Sequence, residues 1–329
     1  MTARDPRVLV TGIGGQPGFD SARRLQELGC TVVGVDADAY ANGLRLPGLI
    51  PRVCAPVGHA DYTKRLLEVC REQRVDALIS TVQQELPQLV SLVPALDRVG
   101  VATWLPPLQS ITACTDKAAF HRVVTVAGLP TPATWLPDQL DTVPADAELV
   151  VKPRHGHGSQ GVIFCRGREQ AQAACLVVAD PIVQARARGR EFTADCLVGR
   201  DGRTSVILRE RLLTKGGLAF VTRTITDGHT DSVVRATLTA VEATGLVCVQ
   251  GFLADHTPDR VLVTEVNLRP AGAFLAAEAA GADLIGQLLA GLLAGAVDHS
   301  RLTYRPGVTL TKYIDTLVVT NGANHAVSQ

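Results

Sequence analysis

Short apolar runs alternate with amphipathic segments over the first hundred or so residues of the chain. The runs Arg7–Thr11, Thr31–Val35 and Ala77–Thr81 are rich in Val, Leu and Ile, and glycine, acidic or amide residues follow each of them. Helical spacing of apolar residues predicts helices over Phe19–Leu28 and Tyr62–Glu72. Apolar strands separated by helices are typical of a parallel sheet that is buried on both faces. Residues 1–105 are therefore predicted to form an open parallel α/β domain.

The pattern changes after the proline pair that follows Leu105. A helix through Asp116 and Lys117 is predicted to end near Gly128, because prolines follow that glycine. Three short apolar strands and one helix come next, which is the composition of a small α+β lobe. Residues 106–188 are therefore predicted to form a small lobe with a linker helix.

After Gly189 the sequence becomes rich in predicted strands. These strands cover Phe192–Val198, Ser205–Arg211, Phe220–Ile225, Cys248–Ala254, Arg260–Val266 and Thr309–Ile314. Helices are predicted over residues 231–244, 273–280 and 284–296. Residues 189–320 are thus predicted to form a third unit, and the polar residues 321–329 a flexible tail.

Composition removes several classes of function. Lysine plus arginine equals aspartate plus glutamate at 32 each, and no basic tract is present, which argues against nucleic acid as a partner. The 8 cysteines are scattered without a Cys-x-x-Cys pair, so structural zinc is not expected. The most apolar predicted helix is too short to span a bilayer, and the N-terminus reaches a strand without a signal-peptide core. We expect a cytoplasmic protein that does not contact membranes.

Two lysines and one strand end carry most of the chemical information. Lys152 ends an apolar strand and is followed at once by a glycine-rich segment, and Lys117 lies upstream of it. Lysines beside such a segment suit a polyphosphate, because glycines let backbone N–H groups approach phosphate oxygens. Glu265 and Asn267 alternate out of a later strand onto one face, where they can share a hard divalent metal ion. These residue types predict chemistry at the γ-phosphate of a nucleotide.

The order of these motifs resembles the ATP-grasp superfamily, with the carbamoyl-phosphate-synthetase-like carboxylate–amine ligases as the nearest branch. The resemblance covers residues 5–315 and rests on Asp-Lys, Val-Val-Lys-Pro, the glycine-rich loop, Gly-Arg-Glu-Phe-Thr-Ala-Asp and Glu-Val-Asn-Leu-Arg-Pro in that order. It implies an N-terminal α/β domain followed by a two-lobed ATP-grasp fold. It also implies ATP as cosubstrate and Mg²⁺ as metal, with Mn²⁺ as an accepted substitute.

The resemblance assigns most of the nucleotide contacts to the small lobe and the hinge after it. The lysines would contact the phosphates, the glycine loop would be a mobile lid, the hinge strand would lie beside adenine, and an acid would bind ribose. The residues in these positions are Lys117, Lys152, Gly156, Gly158, Ser159, Gln160, Gly161, Gln184, Ala185, Arg186, Ala187 and Glu191.

The metal and catalytic positions implied by the resemblance fall in the third unit. Gln250, Glu265 and Asn267 would hold one or two magnesium ions, although Gly251 looks inserted and could shift the register of Gln250. Arg269 would face the transferring phosphoryl group. The arginine that D-alanine ligases place near their first metal ligand is missing, because Cys248 stands there. Arg209 is the candidate chosen for that role, with Arg211 and Arg223 as alternatives.

Three further features admit more than one interpretation. The turn Gly12–Gly18 with Asp36 at the next strand end approaches a dinucleotide fingerprint, but Pro17 lies in the expected first helical turn. Glu85 could bind a substrate amine, or it could be structural. His155 and His157 bracket Gly156 in the loop, where exposure or a phosphate contact is a simpler interpretation than metal binding.

These features together predict an ADP-forming ligase that activates a small carboxylic acid as an acyl phosphate and passes it to an amine. Amino acids or small metabolites are the expected substrates, and a homodimer is one option, since proteins of this superfamily often dimerise. Two alternatives stay open: a nicotinamide-dependent oxidoreductase that uses the N-terminal turn, and a nucleotide-binding protein without turnover.

Overall fold

The computed structural model of the chain describes residues 4–156, 158, 160–254 and 261–318. Ser159 of the proposed phosphate loop, His157 and the predicted tail 321–329 lie outside the described residues. Within them, one parallel sheet with helices precedes two antiparallel sheets. The fold class predicted from the sequence is therefore confirmed.

The first sheet is parallel and has the strand order β3-β2-β1-β4. Its elements are β1 (Arg7–Thr11), α1 (Gln16–Glu27), β2 (Thr31–Asp36), β3 (Ile50–Val53), α2 (Tyr62–Gln73), β4 (Ala77–Ile79) and α3 (Leu86–Arg98). Val8 and Leu9 lie in different apolar clusters, as expected of a strand covered on both faces. The topological switch point falls between β1 and β4, and open α/β sheets bind ligands beyond the carboxyl ends of such strands.

Two helices of this domain differ from the sequence prediction. Helix α1 begins at Gln16 and not at Phe19, because Pro17 is accommodated in its first turn. Helix α3 is absent from the prediction, and it contains Pro87 in its first turn and Pro94 in its interior. Prolines at this density normally indicate a loop, so the sequence pattern concealed this helix.

The predicted helix through Asp116 and Lys117 is two helices, α4 (Leu108–Thr115) and α5 (Lys117–Val126). Asp116 between them is extended, and its carboxylate accepts hydrogen bonds from the backbone N–H groups of Ala118 and Ala119 at 2.9 and 3.1 Å. Asp116 is therefore the N-cap of α5. As a result, Lys117 lies in the first helical turn of α5 and beside the residues that follow β6 (Glu148–Pro153).

The second sheet is antiparallel, with the strand order β5-β8-β6-β7. It comprises β5 (Thr134–Trp135), β6, β7 (Ile163–Arg166) and β8 (Pro181–Ala185), and α6 (Arg168–Cys175) packs on one face. Lys152 is on β6 and Gln184 is opposite on β8. The glycine-rich segment connects β6 to β7 at one end of this sheet.

The third sheet is antiparallel, with the strand order β13-β12-β9-β10-β11-β14. Its elements are β9 (Arg190–Val198), β10 (Thr204–Lys215), β11 (Leu218–Thr224), α7 (Gly228–Ala240), β12 (Gly245–Leu253), β13 (Val261–Asn267), α8 (Leu275–Ala279), α9 (Leu284–Leu293) and β14 (Thr309–Thr311). Among the helices of the described residues, none combines the length and apolarity that crossing a membrane requires.

One apolar core joins the first domain to the third sheet. Val8 and Ile13 belong to the same buried cluster as Leu197 of β9, Ile207 of β10 and Phe274. The pairing of Arg24 Nε with Glu278 Oε2 at 3.0 Å adds a link at the edge of this core. The three sheets follow the order of the proposed units 1–105, 106–188 and 189–320, and these boundaries remain a proposal.

The segment 41–44 packs so tightly on the turn after β1 that one added methyl group should destabilise the protein. A Cβ at Gly43 would overlap the carbonyl oxygen of Ile13. Gly43→Ala is therefore expected to lower the free energy of unfolding by about 1–3 kcal/mol through overpacking. Urea denaturation followed by circular dichroism measures this loss. The matched control is Gly228→Ala, because Gly228 has open space where a Cβ would lie. Equal stability of the two variants would contradict the close contact.

Candidate active site

Two cavities meet at one wall between the parallel sheet and the two antiparallel sheets. The larger has a volume of about 900 Å³ and lies beyond the carboxyl ends of the parallel strands. The smaller, of about 270 Å³, lies between the second and third sheets. The shared wall consists of residues from α5, the glycine-rich segment, β13 and the segment that follows β13, namely Lys117, Gly156, Gln160, Thr264, Glu265, Asn267 and Arg269. A ligand in either cavity would therefore face the same charged side chains.

Most of the nucleotide contacts proposed from the sequence line the smaller cavity. They are Lys117, Lys152, Gly156, Gly158, Gln160, Gln184, Ala185, Arg186, Ala187 and Glu191. Gly161 does not line this cavity. It lies at the end of the segment with a positive φ, and it packs against Pro153. Ser159 cannot be placed, since it lies outside the described residues. The structure thus brings together in one cavity residues that lie far apart in the sequence.

Neutral acceptors hold both lysines of this site. Lys152 Nζ donates to Gln184 Oε1 at 2.8 Å, and Lys117 Nζ donates to the carbonyl oxygen of Gly156 at 2.9 Å. Burial lowers the pKa of Lys152 to about 8; the Glu265 carboxylate opposes this effect and Lys117 adds to it. Burial also lowers the pKa of Lys117, against the charge of Glu265. Two cations so placed are poorly solvated, and an anionic ligand would stabilise both of them.

Glu265 and Asn267 point to the same face of β13, as the alternation predicted. Asn267 Nδ2 donates to Glu265 Oε1 at 3.1 Å, and Arg269 Nη2 lies 3.5 Å from Asn267 Oδ1. No group of three or more His, Cys, Asp or Glu residues that could hold a metal ion occurs in the described part of the chain. A carboxylate beside an amide oxygen nevertheless fits Mg²⁺, which is commonly held by one or two protein oxygens together with substrate phosphates.

A bulge explains how Gln250 stays opposite Glu265 despite the glycine that follows it. The register pairs Gln250 with Glu265 and then Gly251 with Val263, so that Thr264 is the extra residue on β13. A side chain at position 251 would overlap the carbonyl oxygen of Leu262 and approach the Phe192 ring. Gln250 Oε1 also lies 3.4 Å from Arg211 Nη1. Gln250 is close enough to contribute to a metal site, but its oxygen already faces a cation.

Arg209 does not line either cavity, although it was chosen from the sequence for a catalytic role. Its side chain is 2% exposed and its guanidinium donates to both carboxylate oxygens of Asp195, at 2.7 and 3.3 Å. The guanidinium is therefore buried against the third sheet and neutralised by Asp195. Arg211, two residues along the same face of β10, lines the smaller cavity instead. It contacts Glu191 at 3.3 Å and the carbonyl oxygen of Gly217 at 2.6 Å.

An ion pair fixes the start of the glycine-rich segment relative to α5. Arg154 donates to both oxygens of Asp116, at 2.7 and 2.5 Å, and the Lys117 N–H donates to the Arg154 carbonyl at 3.2 Å. Burial alone would raise the pKa of Asp116, but the hydrogen bonds from Arg154 and the backbone lower it to about 2. His155 is exposed and lies 3.7 Å from Asp180. The ion pair therefore holds Lys117 and the loop that contains Gly156 in a fixed arrangement.

Gln83 connects three parts of the site and was not among the residues chosen from the sequence. Its Nε2 donates to the carbonyl oxygen of Cys114 at 3.2 Å, and its Oε1 accepts from the Leu268 N–H at 2.9 Å. Leu268 lies between Asn267 and Arg269. The only sequence signal for this role was the position of Gln83 at a strand end, and that position does not reveal its partners.

The turn after β1 packs against neighbouring segments and borders the larger cavity. Asp36 Oδ2 accepts from the Gly14 N–H at 2.8 Å, and Asp36 Oδ1 accepts from the Asp38 N–H at 3.0 Å. Val82 packs where a side chain at Gly12 would lie, and Ala41 does the same at Gly14. In a dinucleotide site the acid at this position binds a ribose hydroxyl. Both oxygens of Asp36 already accept from backbone N–H groups, and this opposes the dinucleotide interpretation.

Glu85 lies at the topological switch point. It is 1% exposed and accepts hydrogen bonds from three hydroxyl groups, those of Thr11, Tyr62 and Ser80. Burial raises the pKa of Glu85 and also that of Tyr62. Glu85, Thr11 and Tyr62 line the larger cavity.

Comparison with known proteins supports the ATP-grasp resemblance. Residues 114–273 match the family model described as an ATP-grasp domain. Among curated proteins, a UDP-glucose 4-epimerase from Azospirillum brasilense is 31% identical over 134 residues, which are 40% of this chain and 37% of that protein. This chain thus spans little more than a third of that relative.

Solved structures cover nearly the whole chain. A biotin carboxylase from Campylobacter jejuni superposes with a TM-score of 0.72 at 13% identity, over 93% of this chain and 75% of that one. An L-amino acid ligase from Bacillus licheniformis has a TM-score of 0.69 at 18% identity, over 93% and 78%. An N5-carboxyaminoimidazole synthetase from Staphylococcus aureus gives 0.69 at 14% identity, over 89% and 78%. These TM-scores establish a shared fold.

The contrast between Arg209 and Arg211 can be tested by parallel substitution. Arg209→Met should lower the free energy of unfolding by about 3–5 kcal/mol, because it leaves the Asp195 charge buried without its partner. Adding Asp195→Leu should restore much of that loss. Arg211→Met should instead weaken nucleotide binding with a smaller effect on stability. Urea denaturation and calorimetric titration with MgATP measure the two effects. The assignment would be wrong if Arg209→Met were stable and nucleotide binding depended on it.

The lowered pKa of Lys152 predicts a pH-dependent affinity for triphosphate. An anion binds the charged lysine, so the dissociation constant of MgATP should rise as the pH increases through about 8. Gln184→Glu places a carboxylate beside Nζ and should move the rise of the dissociation constant to higher pH. Lys152→Arg should abolish this pH dependence, because a guanidinium stays charged. Calorimetry between about pH 7 and 9.5 at constant ionic strength tests this. A flat profile for the unmodified chain would refute the prediction.

Proposed function

We propose that this chain, of which residues 114–273 match an ATP-grasp domain, is an ADP-forming ligase that joins a small carboxylic acid to an amine through an acyl phosphate. The observation that carries the proposal is the shared wall of the two cavities. Lys117, Glu265, Asn267 and Arg269 face both spaces. A triphosphate in the smaller cavity and an acid in the larger one would meet at these side chains.

The shared wall suits phosphoryl transfer, because this reaction brings an anion towards an anion. The acid oxygen attacks the γ-phosphorus, the bond from phosphorus to the ADP oxygen breaks, and an acyl phosphate forms. Lys117, Lys152 and Arg269 neutralise charge along this path, where preorganised cations stabilise the transition state. An amine nitrogen then attacks the acyl carbon, inorganic phosphate leaves, and the amine proton passes to solvent.

Magnesium, when bound, supplies further charge neutralisation between the phosphates. Glu265 and Asn267 would hold it through oxygen atoms, with Gln250 as a weaker third donor because of Arg211. The pairing of Asn267 with Glu265 keeps both groups oriented towards the shared wall. Mn²⁺, which accepts the same oxygen donors, is proposed as a substitute.

The neutral partners of the two lysines support a nucleotide-binding role. Gly156 offers a carbonyl oxygen and Gln184 an amide oxygen, both weaker acceptors than an ionised phosphate. Binding of a triphosphate would exchange these contacts for stronger ones. Release of Gly156 from Lys117 would also free the glycine-rich segment to cover the phosphates and exclude water.

A nicotinamide-dependent oxidoreductase is the alternative, and the glycine turn beside Asp36 is the feature that favours it. The two backbone hydrogen bonds that already occupy the Asp36 oxygens count against this alternative. Titration with NADH, followed by its fluorescence, separates the two functions, because only the oxidoreductase should bind it. A third function, nucleotide binding without turnover, predicts no acid-dependent release of ADP.

The partners and setting of the reaction complete the proposal. The substrates are a small carboxylic acid and a small amine. We place the activity in the cytoplasm, where ATP is available, and we expect nucleic acid and membranes to have no part in it. A homodimer stays a prediction that sedimentation can check.

Acid-dependent release of ADP is the experiment that tests the proposal. Hydroxylamine serves as a general amine, because it traps any acyl phosphate as a coloured hydroxamate, and a panel of acids is screened with MgATP. Lys152→Ala should reduce turnover at least about a hundredfold, since a pre-positioned charge on the transferring group is lost. Lys64→Ala, an exposed lysine of α2, is the matched control. Near-normal turnover of Lys152→Ala, with correct folding by circular dichroism, would refute the role of this site.

A further inference from the structure

The larger cavity has one wall that the proposed phosphoryl transfer does not use. The basic side chains of its described lining are Lys117, Arg269 and His155, which lie in the residues that match the ATP-grasp domain. The opposite wall, made by the parallel strand ends, carries Glu85 and Asp36 and no lysine, arginine or histidine among the described lining residues. The cavity is therefore polarised from an anionic wall to a wall on which Lys117 and Arg269 outnumber the single acid, Glu265.

Glu85 is the central group of the anionic wall. It is almost fully buried, yet no described lysine, arginine or histidine lies within ion-pair distance of its carboxylate. Only the neutral hydroxyls of Thr11, Tyr62 and Ser80 donate to it. A buried carboxylate is normally compensated by a nearby cation, because burial disfavours the charged form. The open cavity beside Glu85 is where a ligand could supply this charge.

Asp36 strengthens the polarity of this wall without competing for the same ligand. Each of its oxygens accepts from a backbone N–H, of Gly14 or Asp38, so its hydrogen bonds hold the turn in place. Burial is the main cause that raises the pKa of Glu85, and the charge of Asp36 raises it further. A second anion in the ligand would be repelled here, whereas a cation would be attracted by both carboxylates.

We propose that Glu85, assisted by the hydroxyls of Tyr62 and Thr11, binds an ammonium group of the acid substrate, whose carboxylate faces Arg269 and Lys117. The activated acid is then an amino acid or a longer zwitterion with a cationic and an anionic end. This inference rests on the proposed function, because the carboxylate end is defined by the site of phosphoryl transfer. It specifies the acid and leaves the accepting amine unrestricted.

The zwitterion fits better than the other classes of acid. A dicarboxylic or phosphorylated acid would place an anion against Glu85 and Asp36. A plain aliphatic acid would leave the Glu85 carboxylate uncompensated. The apolar residues Cys54, Val57 and Pro87 also line this cavity, and they can cover the methylene groups between the two charged ends.

The test compares acids that differ only in the amino group. The probes are glycine through 6-aminohexanoate and the common L-α-amino acids, each beside the acid without its amino group, with glutarate as a dianion. Hydroxamate formation with MgATP and hydroxylamine gives kcat/KM, and thermal denaturation with each acid gives a readout that does not need turnover. At least one ammonium acid should exceed its plain counterpart by about 10- to 100-fold in kcat/KM, and it should raise the melting temperature more than that counterpart does.

Substitution of Glu85 identifies the group responsible. Glu85→Gln keeps the shape and should remove most of the preference for the ammonium acid, with the affinity for MgATP unchanged. Asp97→Asn, which removes an exposed carboxylate from α3, should leave the preference intact. Tyr62→Phe should weaken it less than Glu85→Gln. If Glu85→Gln fails to fold, the acid panel on the unmodified chain decides the question alone.

The outcomes separate this inference from the proposed function. Hydroxamate formed equally well from plain acids, or a preference that survives in a folded Glu85→Gln variant, overturns the role of Glu85 and leaves the ligase function standing. Stabilisation by an ammonium acid that depends on Glu85, without any hydroxamate or ADP, supports the binding site and overturns the ligase function. Absence of both stabilisation and turnover with every ammonium acid overturns the inference.

Discussion

The site depends on two half-buried lysines whose positive charges are only partly balanced by one nearby carboxylate. Lys117 and Lys152 donate to neutral oxygen atoms, and burial lowers the pKa of each. Glu265 balances only part of their charge. Groups in this state gain much from an anionic ligand, because low solvation strengthens each new electrostatic contact. The same feature that costs stability in the free protein would therefore favour binding of a triphosphate.

The surrounding fold keeps these charges in register. The apolar core shared by β1, β9 and β10 joins the first domain to the third sheet, so the larger cavity has fixed walls. Gln83 helps to fix the positions of Asn267 and Arg269, because its side chain accepts a hydrogen bond from the backbone N–H of Leu268 between them. The Asp116–Arg154 pair does the same for Lys117 and the glycine-rich segment. Rigid elements on three sides thus position the side chains that would contact the phosphates.

Local sequence patterns were sufficient for the parts of the fold that depend on local forces. The apolar runs identified the parallel strands, and alternation placed Glu265 and Asn267 on one face, because side chains alternate along any strand. The common role of the two lysines at one nucleotide was implied by the resemblance to the ATP-grasp superfamily. Helix α3 was not predicted, because its two prolines are more typical of a loop. The break at Asp116 was not predicted either, because an N-cap can be recognised only when the backbone conformation is known.

Choices between equivalent residues could not be made from the sequence. Arg209 and Arg211 lie on the same face of β10, and only the position of Asp195 on the neighbouring strand decides that Arg209 is neutralised inside the sheet. The bulge at Gly251 depends likewise on the approach of Leu262 from β13. For Glu85 the sequence left two interpretations, since its three hydroxyl partners come from three separate segments. These outcomes are set by tertiary contacts that no local pattern contains.

A crystal structure with Mg²⁺ and a non-hydrolysable ATP analogue tests the central claim most directly. The account predicts that Lys117 Nζ leaves the Gly156 carbonyl and Lys152 Nζ leaves Gln184, that both contact phosphate oxygens, and that the metal ion lies beside Glu265 and Asn267. Phosphates bound at the Gly12–Gly18 turn, with both lysines still on their present partners, would contradict it.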